Sequence, residues 1–220
     1  MLRIKICGIT RSADALAAVA AGADALGLNF YRASPRSIAP GAARQLVHAL
    51  PAEVVKVGVF VNESAAVIRR LAGEIPLDAV QLHGDEPPAL VAELAGLPVI
   101  KAFRLGDAGL APLAAFLDET ARLGHPPRMV LLDASRPGQY GGTGHTVDWA
   151  LAAGYHKLGG ERPPLVLAGG LAPGNVAAAI RAVRPQAVDT ASGVELAPGE
   201  KDIEKLREFI AQARASLFET

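Results

Sequence analysis

The chain has 220 residues, half of them apolar, with 22 Lys and Arg balancing 22 Asp and Glu. A chain of this length hides roughly 70% of its unfolded surface when it folds, so one sizeable core is expected. Zero net charge excludes a basic field for nucleic acid, so an anionic ligand has to be held by local groups.

The single cysteine, Cys7, excludes an internal disulfide and fits a reducing compartment. No apolar run approaches the ~20 residues of a membrane span, and the N-terminus reads as a charged strand rather than a signal segment. A soluble cytoplasmic protein without membrane partners is expected.

In chain order, β-branched runs occur at Arg3–Cys7, Asp24–Phe30, Val54–Asn62, Asp78–His83, Pro98–Phe103, Met129–Asp133, Leu165–Ala168 and Ala187–Ala191. Stretches with helical spacing lie between them. The first opens at Ser12, a plausible cap, and stops at Gly22. The others are Ala42–Leu50, Ser64–Ala72, Pro87–Leu94, Leu110–Leu123, Val147–Ala153, Pro173–Val183 and Lys201–Leu217. Strict alternation of strand and helix implies a parallel sheet with helices outside. Eight such units favour a closed (β/α)₈ TIM barrel, an α/β fold, and only a compact one fits this length. No linker or shift in composition marks a second domain, so residues 1–220 are read as one. Gly154–Pro164 is read as a single loop before the seventh strand.

Side chains alternate between the faces of a strand, which sorts the polar residues. Lys5 and Cys7 oppose Ile4 and Ile6, Gln81 and His83 oppose Val80 and Leu82, Asp133 opposes Leu132, and Asp189 opposes Val188. The polar set is aimed into the barrel near the carboxyl ends of the strands, where such folds carry their active sites.

The strongest chemical signal comes late. Leu167-Ala-Gly-Gly-Leu-Ala-Pro-Gly-Asn175 follows the seventh strand and Asp189-Thr-Ala-Ser-Gly-Val-Glu195 the eighth. Gly169, Gly170 and Gly193 let backbone N–H groups approach a phosphate, although they serve equally well in tight turns. Gly141-Gly142-Thr-Gly144, after the sixth strand, is on the same side and is a candidate to close over a ligand.

A strand cysteine is commonly a small buried hydrophobe. Cys7, however, ends its strand with inward parity, has Gly8 behind it, and has Lys5 about 7 Å back on the same face. A charged Lys5 would favour the thiolate and lower the thiol's pKa, making Cys7 a candidate general base. Asp133 tips the apolar strand Met129-Val-Leu-Leu and is either a solvated loop opener or a partly desolvated acid. Arg36, in Ser34-Pro-Arg-Ser37, has a planar fork suited to a carboxylate. His83 either meets ligand or satisfies a neighbour, and Asp189 either binds hydroxyls or holds a loop. His48, His125, His145 and His156 show no metal-site spacing.

These segments together resemble the phosphoribosylanthranilate isomerase family over essentially the whole chain. The resemblance rests on Lys5-Ile-Cys-Gly-Ile-Thr10, Gly22-Ala-Asp-Ala-Leu-Gly27, Ser34-Pro-Arg36, Val57-Gly-Val-Phe-Val-Asn62, Gln81-Leu-His-Gly-Asp-Glu86 and Gly141-Gly-Thr-Gly144. It continues through Asp148-Trp149, Leu167-Ala-Gly-Gly-Leu171, Ser192-Gly-Val-Glu195 and Pro198-Gly-Glu-Lys-Asp202. Ser37 departs from the family's usual aromatic residue, and Thr190-Ala191 from its usual Val-Ser.

The resemblance implies an aldose–ketose isomerase of tryptophan biosynthesis. Its reaction is the Amadori rearrangement of N-(5-phosphoribosyl)anthranilate to 1-(2-carboxyphenylamino)-1-deoxyribulose 5-phosphate. By the same resemblance Asp133 is the general acid and Cys7 the general base. Arg36 holds the anthranilate carboxylate, while Gly169, Gly170, Ser192 and Gly193 hold the phosphate. Asp189 contacts a hydroxyl, Gln81 and His83 line the pocket, and Gly141 and Gly142 belong to the substrate loop. Neither cofactor nor metal is implied, the partner is a small phosphosugar, and monomer or homodimer is left open. Indole-glycerol-phosphate synthase is the nearest rival and needs a lysine as principal acid, for which Lys101 is the candidate. A ribulose-phosphate epimerase needs paired aspartates with a histidine metal set, which is not found, and a non-catalytic phosphosugar-binding protein leaves Cys7 and Asp133 without work.

Overall fold

Eight parallel strands pair in the order of the chain, and the last pairs back onto the first. The computed structural model describes residues 2–106, 108–134 and 148–218. The strands are β1 (Ile4–Cys7), β2 (Ala25–Asn29), β3 (Val55–Phe60), β4 (Ala79–Leu82), β5 (Val99–Leu105), β6 (Met129–Ala134), β7 (Leu165–Leu167) and β8 (Ala187–Thr190). The helices are α1 (Ser12–Ala21), α2 (Pro40–His48), α3 (Ala65–Glu74), α4 (Pro88–Glu93), α5 (Ala111–Arg122), α6 (Trp149–Ala153), α7 (Pro173–Val183) and α8 (Ile203–Phe218). The expected barrel is therefore present, and each described element falls within a few residues of the pattern in the sequence.

Alternation along the strands produces two apolar layers. Ala25, Val57, Ala79, Ile100, Leu131 and Val166 fill the inside of the ring. Ile4, Leu26, Val80, Leu132, Leu165 and Val188 face outward and pack under helix residues such as Leu46, Ile68, Leu117 and Ile180. Both sets are buried, which is why the strands read as nearly continuous apolar runs rather than as half-wet ribbons.

Two local expectations are corrected. Ser12 does not cap α1. The first intrahelical bond runs from the Ala15 N–H to the Arg11 carbonyl, so Arg11 holds the cap position in extended conformation without a side-chain cap. The Gly154–Pro164 stretch begins as a 3₁₀ turn, Gly154–Lys157, and Tyr155 donates its hydroxyl to the Pro163 carbonyl at 2.6 Å. The stop at Gly22 is as expected. Its φ of 102° lets it donate to Val19 while Ala23 donates to Ala18, a Schellman closure.

One element was not foreseen. A two-stranded antiparallel hairpin, β9 (Glu195–Ala197) with β10 (Glu200–Lys201), stands on the carboxyl-end rim after β8 and turns at Gly199, φ 84°. Strands this short leave no period to read.

Candidate active site

At the carboxyl ends of the strands a cavity of about 390 Å³ is lined by Cys7, Arg36, His83, Asp133, Gly169, Gly170, Asp189 and Ser192, among others. Side chains far apart in sequence meet there because β1, β4, β6 and β8 each end with an inward-facing polar residue. Gln81 is the correction. It has the right parity but is fully buried and does not line the cavity, because it sits two residues deeper on β4, about 7 Å below His83. Gly141 and Gly142 lie outside the described residues.

The Cys7 side is built from charges. The Lys5 ammonium is fully buried and donates to Asp189 Oδ1 at 2.9 Å, bridging β1 and β8. Burial works to lower the Lys5 pKa, but the charges of Asp189 and Cys7 outweigh it and leave it raised. Cys7 runs against expectation. Burial pushes its thiol up, and the pull of Lys5 in the other direction does not cancel that. Gly27 on β2 makes room for both groups, since a Cβ there would lie 2.7 Å from Cys7 Sγ and 3.1 Å from Lys5 Nζ.

Arg36 already grips a carboxylate, that of Glu195 on the hairpin, through Nε (2.9 Å) and Nη2 (2.7 Å). Its aliphatic stem lies on Gly8, whose φ of 72° and missing Cβ allow the approach; a Cβ there would fall 2.7 Å from Arg36 Cδ. Glu195 also accepts from Lys201 at 2.8 Å, and Lys201 donates to the Cys7 carbonyl at 2.7 Å. Burial opposes the Glu195 carboxylate, yet Arg36 and Lys201 hold its pKa below the usual range. The hairpin thus braces the arginine and the backbone of the cysteine together.

The Asp133 side is a hydrogen-bonded chain. Gln81 Nε2 stands 2.8 Å from His83 Nδ1, and His83 Nε2 stands 3.1 Å from Asp133 Oδ2. Gly169 (φ 84°) and Gly170 (φ 64°) make a turn after β7 that ordinary residues resist. Gly193 is not on the cavity wall. A Cβ there would fall 1.9 Å from the Leu171 carbonyl oxygen, so its role in the structure is to let the loops after β7 and β8 touch. Thr190 Oγ1 donates to the same carbonyl at 2.7 Å.

Lys101, the acid that the rival chemistry needs, is turned away. It lies on the helix side of β5, donates to Glu86 at 2.7 Å and to the Gly84 carbonyl at 2.8 Å, and sits over Phe103 and Phe116. Among the described residues, no three His, Cys, Asp or Glu side chains gather as a metal site would need.

The family model for N-(5'-phosphoribosyl)anthranilate isomerase matches residues 4–212. The chain belongs to the phosphoribosylanthranilate isomerase family. A Geobacter metallireducens N-(5'-phosphoribosyl)anthranilate isomerase is 47% identical over 216 residues, covering 98% of this chain and 100% of the relative. The Thermus thermophilus phosphoribosyl anthranilate isomerase crystal structure superposes with a TM-score of 0.84 at 43% identity, covering 97% of this chain and 99% of that one. A structure of the isomerase in complex with reduced 1-(o-carboxyphenylamino)-1-deoxyribulose 5-phosphate superposes with a TM-score of 0.80 at 40% identity, covering 98% and 100%.

For a phosphoribosylanthranilate isomerase, the sequence reading missed the parts that act through neighbours: Gly27 as the space for Cys7, Glu195 as the brace for Arg36, and Asp189 as the partner of Lys5. Each belongs to a motif of the sequence, but only the closed ring shows what it touches.

Proposed function

We propose that Cys7 and Asp133 carry the isomerisation of N-(5'-phosphoribosyl)anthranilate to 1-(2-carboxyphenylamino)-1-deoxyribulose 5-phosphate as base and acid. The observation that carries this reading is that both line one cavity with Gly169, Gly170 and Ser192. Asp133 protonates the ribose ring oxygen as the ring C–O bond breaks, leaving an iminium. The Cys7 thiolate takes the C2 proton, and the electron pair released neutralises the iminium to an enolamine. Tautomerisation of the enolamine gives the ketone. The iminium is itself the electron sink, so one acid and one base suffice, each worth typically ~10²–10⁴-fold. Because burial disfavours the thiolate, the Lys5 ammonium is the group that makes it accessible.

Ser192 and the turn Gly169–Gly170 cradle the phosphate, remote from the reacting carbons, so that its binding orients the sugar. Gly193 shapes that cradle, Asp189 meets a ribose hydroxyl, and Gly141 and Gly142 are assigned to substrate binding. Arg36 keeps the Nη1/Nη2 edge of its guanidinium for the anthranilate carboxylate, since its bonds to Glu195 use Nε and Nη2.

We read residues 1–220 as one domain, supported by the pairing of β1 with β8. A cytoplasmic enzyme acting on a small phosphosugar fits the lone free cysteine. No helix among the described residues is long and apolar enough to cross a membrane.

The test is a fluorescence assay of purified protein with phosphoribosylanthranilate. Loss of the anthranilate-type signal at an enzymatic rate is expected, and binding without turnover would sink the proposal.

A further inference from the structure

Lys201 on β10 is buried and does not line the cavity, yet its ammonium has three partners. It donates to Glu195 Oε1 at 2.8 Å, to the Cys7 carbonyl at 2.7 Å and to the Ala191 carbonyl at 3.0 Å. An ammonium has three hydrogens, so none is left for a ligand. Of the three acceptors only Glu195 is charged, and Glu195 is the group that grips Arg36.

The order of the charges decides what Arg36 can offer. Arg36 and Glu195 alone are a neutral pair, and a carboxylate brought to the open edge of the guanidinium would meet an anion behind the cation. With Lys201 the row runs plus, minus, plus, and its sum is one positive charge. A ligand carboxylate then completes an alternating row and brings the sum to zero. The count matters because these side chains are only 0%, 5% and 12% exposed for Lys201, Glu195 and Arg36, where water screens weakly. The other charged neighbours have partners of their own. Lys5 is matched by Asp189, and Lys205 by Asp202. Asp14 and Glu200 share Arg11, and both Arg11 and Glu200 are half-exposed, where water screens them.

We propose that Lys201 is a positioning residue for substrate selection: by neutralising Glu195 it leaves Arg36 with an uncompensated charge for the substrate carboxylate. This rests on the reading of Arg36 as the carboxylate clamp. Lys201 touches no ligand and acts through Glu195, while the Cys7 and Ala191 carbonyls fix the ammonium in place. Glu195 has a double task in consequence. It holds the guanidinium still, and Lys201 keeps it from consuming the charge it holds.

The test is calorimetric binding of two ligands, the reduced product analogue and its counterpart with phenylamino in place of carboxyphenylamino. The ratio of their affinities reads the carboxylate alone, and wild type is expected to favour the carboxylate ligand. In Lys201→Met that preference should fall by about tenfold or more, while affinity for the phenylamino ligand stays within about threefold. Lys201→Gln drops the charge but keeps a donor inside the cluster. It should lose the preference alike, whereas a purely hydrogen-bonding role would spare it. Lys101→Met takes a similarly buried lysine from a carboxylate outside the cavity and should leave the preference as it is. A preference retained in the Lys201 variants, or lost equally in Lys101→Met, overturns the inference. So does ¹³C-lysine NMR of wild type that shows Lys201 as a neutral amine near neutral pH, a measurement that needs no variant to fold. An ammonium is expected there, although burial works to lower its pKa. Arg36→Met separates the inference from its foundation. An unchanged preference in that variant removes the clamp itself, whereas a preference lost there and kept in the Lys201 variants removes only the role of Lys201.

Discussion

Two buried lysines point in opposite directions. Lys5 on β1 and Lys101 on β5 are each at most 2% exposed, and each is paired with one carboxylate, Asp189 and Glu86 respectively. Lys5 faces the inside of the ring, where Asp189 and Cys7 together overcome the effect of burial and raise its pKa. Lys101 faces the helices, where burial prevails over Glu86 and lowers it. Strand parity alone separates them. The inward pair borders the Cys7 thiol, while the outward pair ties the ends of β4 and β5 through Gly84 and Glu86. Which face of its strand a buried ion pair takes thus decides whether it reaches the cavity, as the lining by Asp189 and Cys7 shows.

The sharpest way to break this contrast is at Cys7, which the inward pair borders, and at Asp133 across the cavity. Cys7→Ser and Asp133→Asn are each expected to lower kcat by about 10²–10⁴-fold. Binding of a reduced product analogue, followed by calorimetry, should stay close to wild type. Gly27→Ala comes next. The added methyl displaces Cys7 Sγ, and a loss of about 10²-fold in kcat is expected from a misplacement of that size. Full activity in that variant would mean that the thiol does not need its place.

The lysines themselves are then compared directly. Lys5→Met and Lys101→Met each strand a buried carboxylate and should cost about 3–5 kcal/mol in denaturant unfolding. They should differ in activity. Since the Cys7 thiol is pushed up, wild-type kcat/KM should keep rising with pH beyond the ordinary thiol range as thiolate forms. Removing the Lys5 ammonium removes a charge that favours thiolate, so the limb moves to still higher pH in Lys5→Met and stays put in Lys101→Met. Equal profiles for the two would erase the distinction. The smallest effect is expected from Glu195→Gln, which frees Arg36 from its anionic brace. KM should rise about tenfold, the scale of one charge-assisted hydrogen bond, with kcat nearly unchanged.

The barrel was legible because alternation of strand and helix is a short-range signal, and parity on β1, β4, β6 and β8 brought Cys7, His83, Asp133 and Asp189 to one mouth. What stayed hidden is depth and partnership. Gln81 shares the parity of His83 but lies a layer lower, and the sequence carries no marker of height inside a ring. Arg36 was expected to face a ligand carboxylate, yet its Nε edge is taken by Glu195, 159 positions away on a hairpin too short to foresee. The direction of the Cys7 shift stays hidden for a related reason. The attraction of Lys5 could be read from spacing, whereas the desolvation of the thiol depends on the whole surrounding shell.

The Lys5–Asp189 contact joins residues 184 positions apart, across the seam where the first strand meets the last. A chain emerging from the ribosome therefore carries Lys5 and Cys7 long before the carboxylate that pairs with the ammonium. Only when β8 docks beside β1 does the ammonium gain that partner. The contact is in this sense a report of ring closure, since no shorter stretch of the chain brings the two residues together.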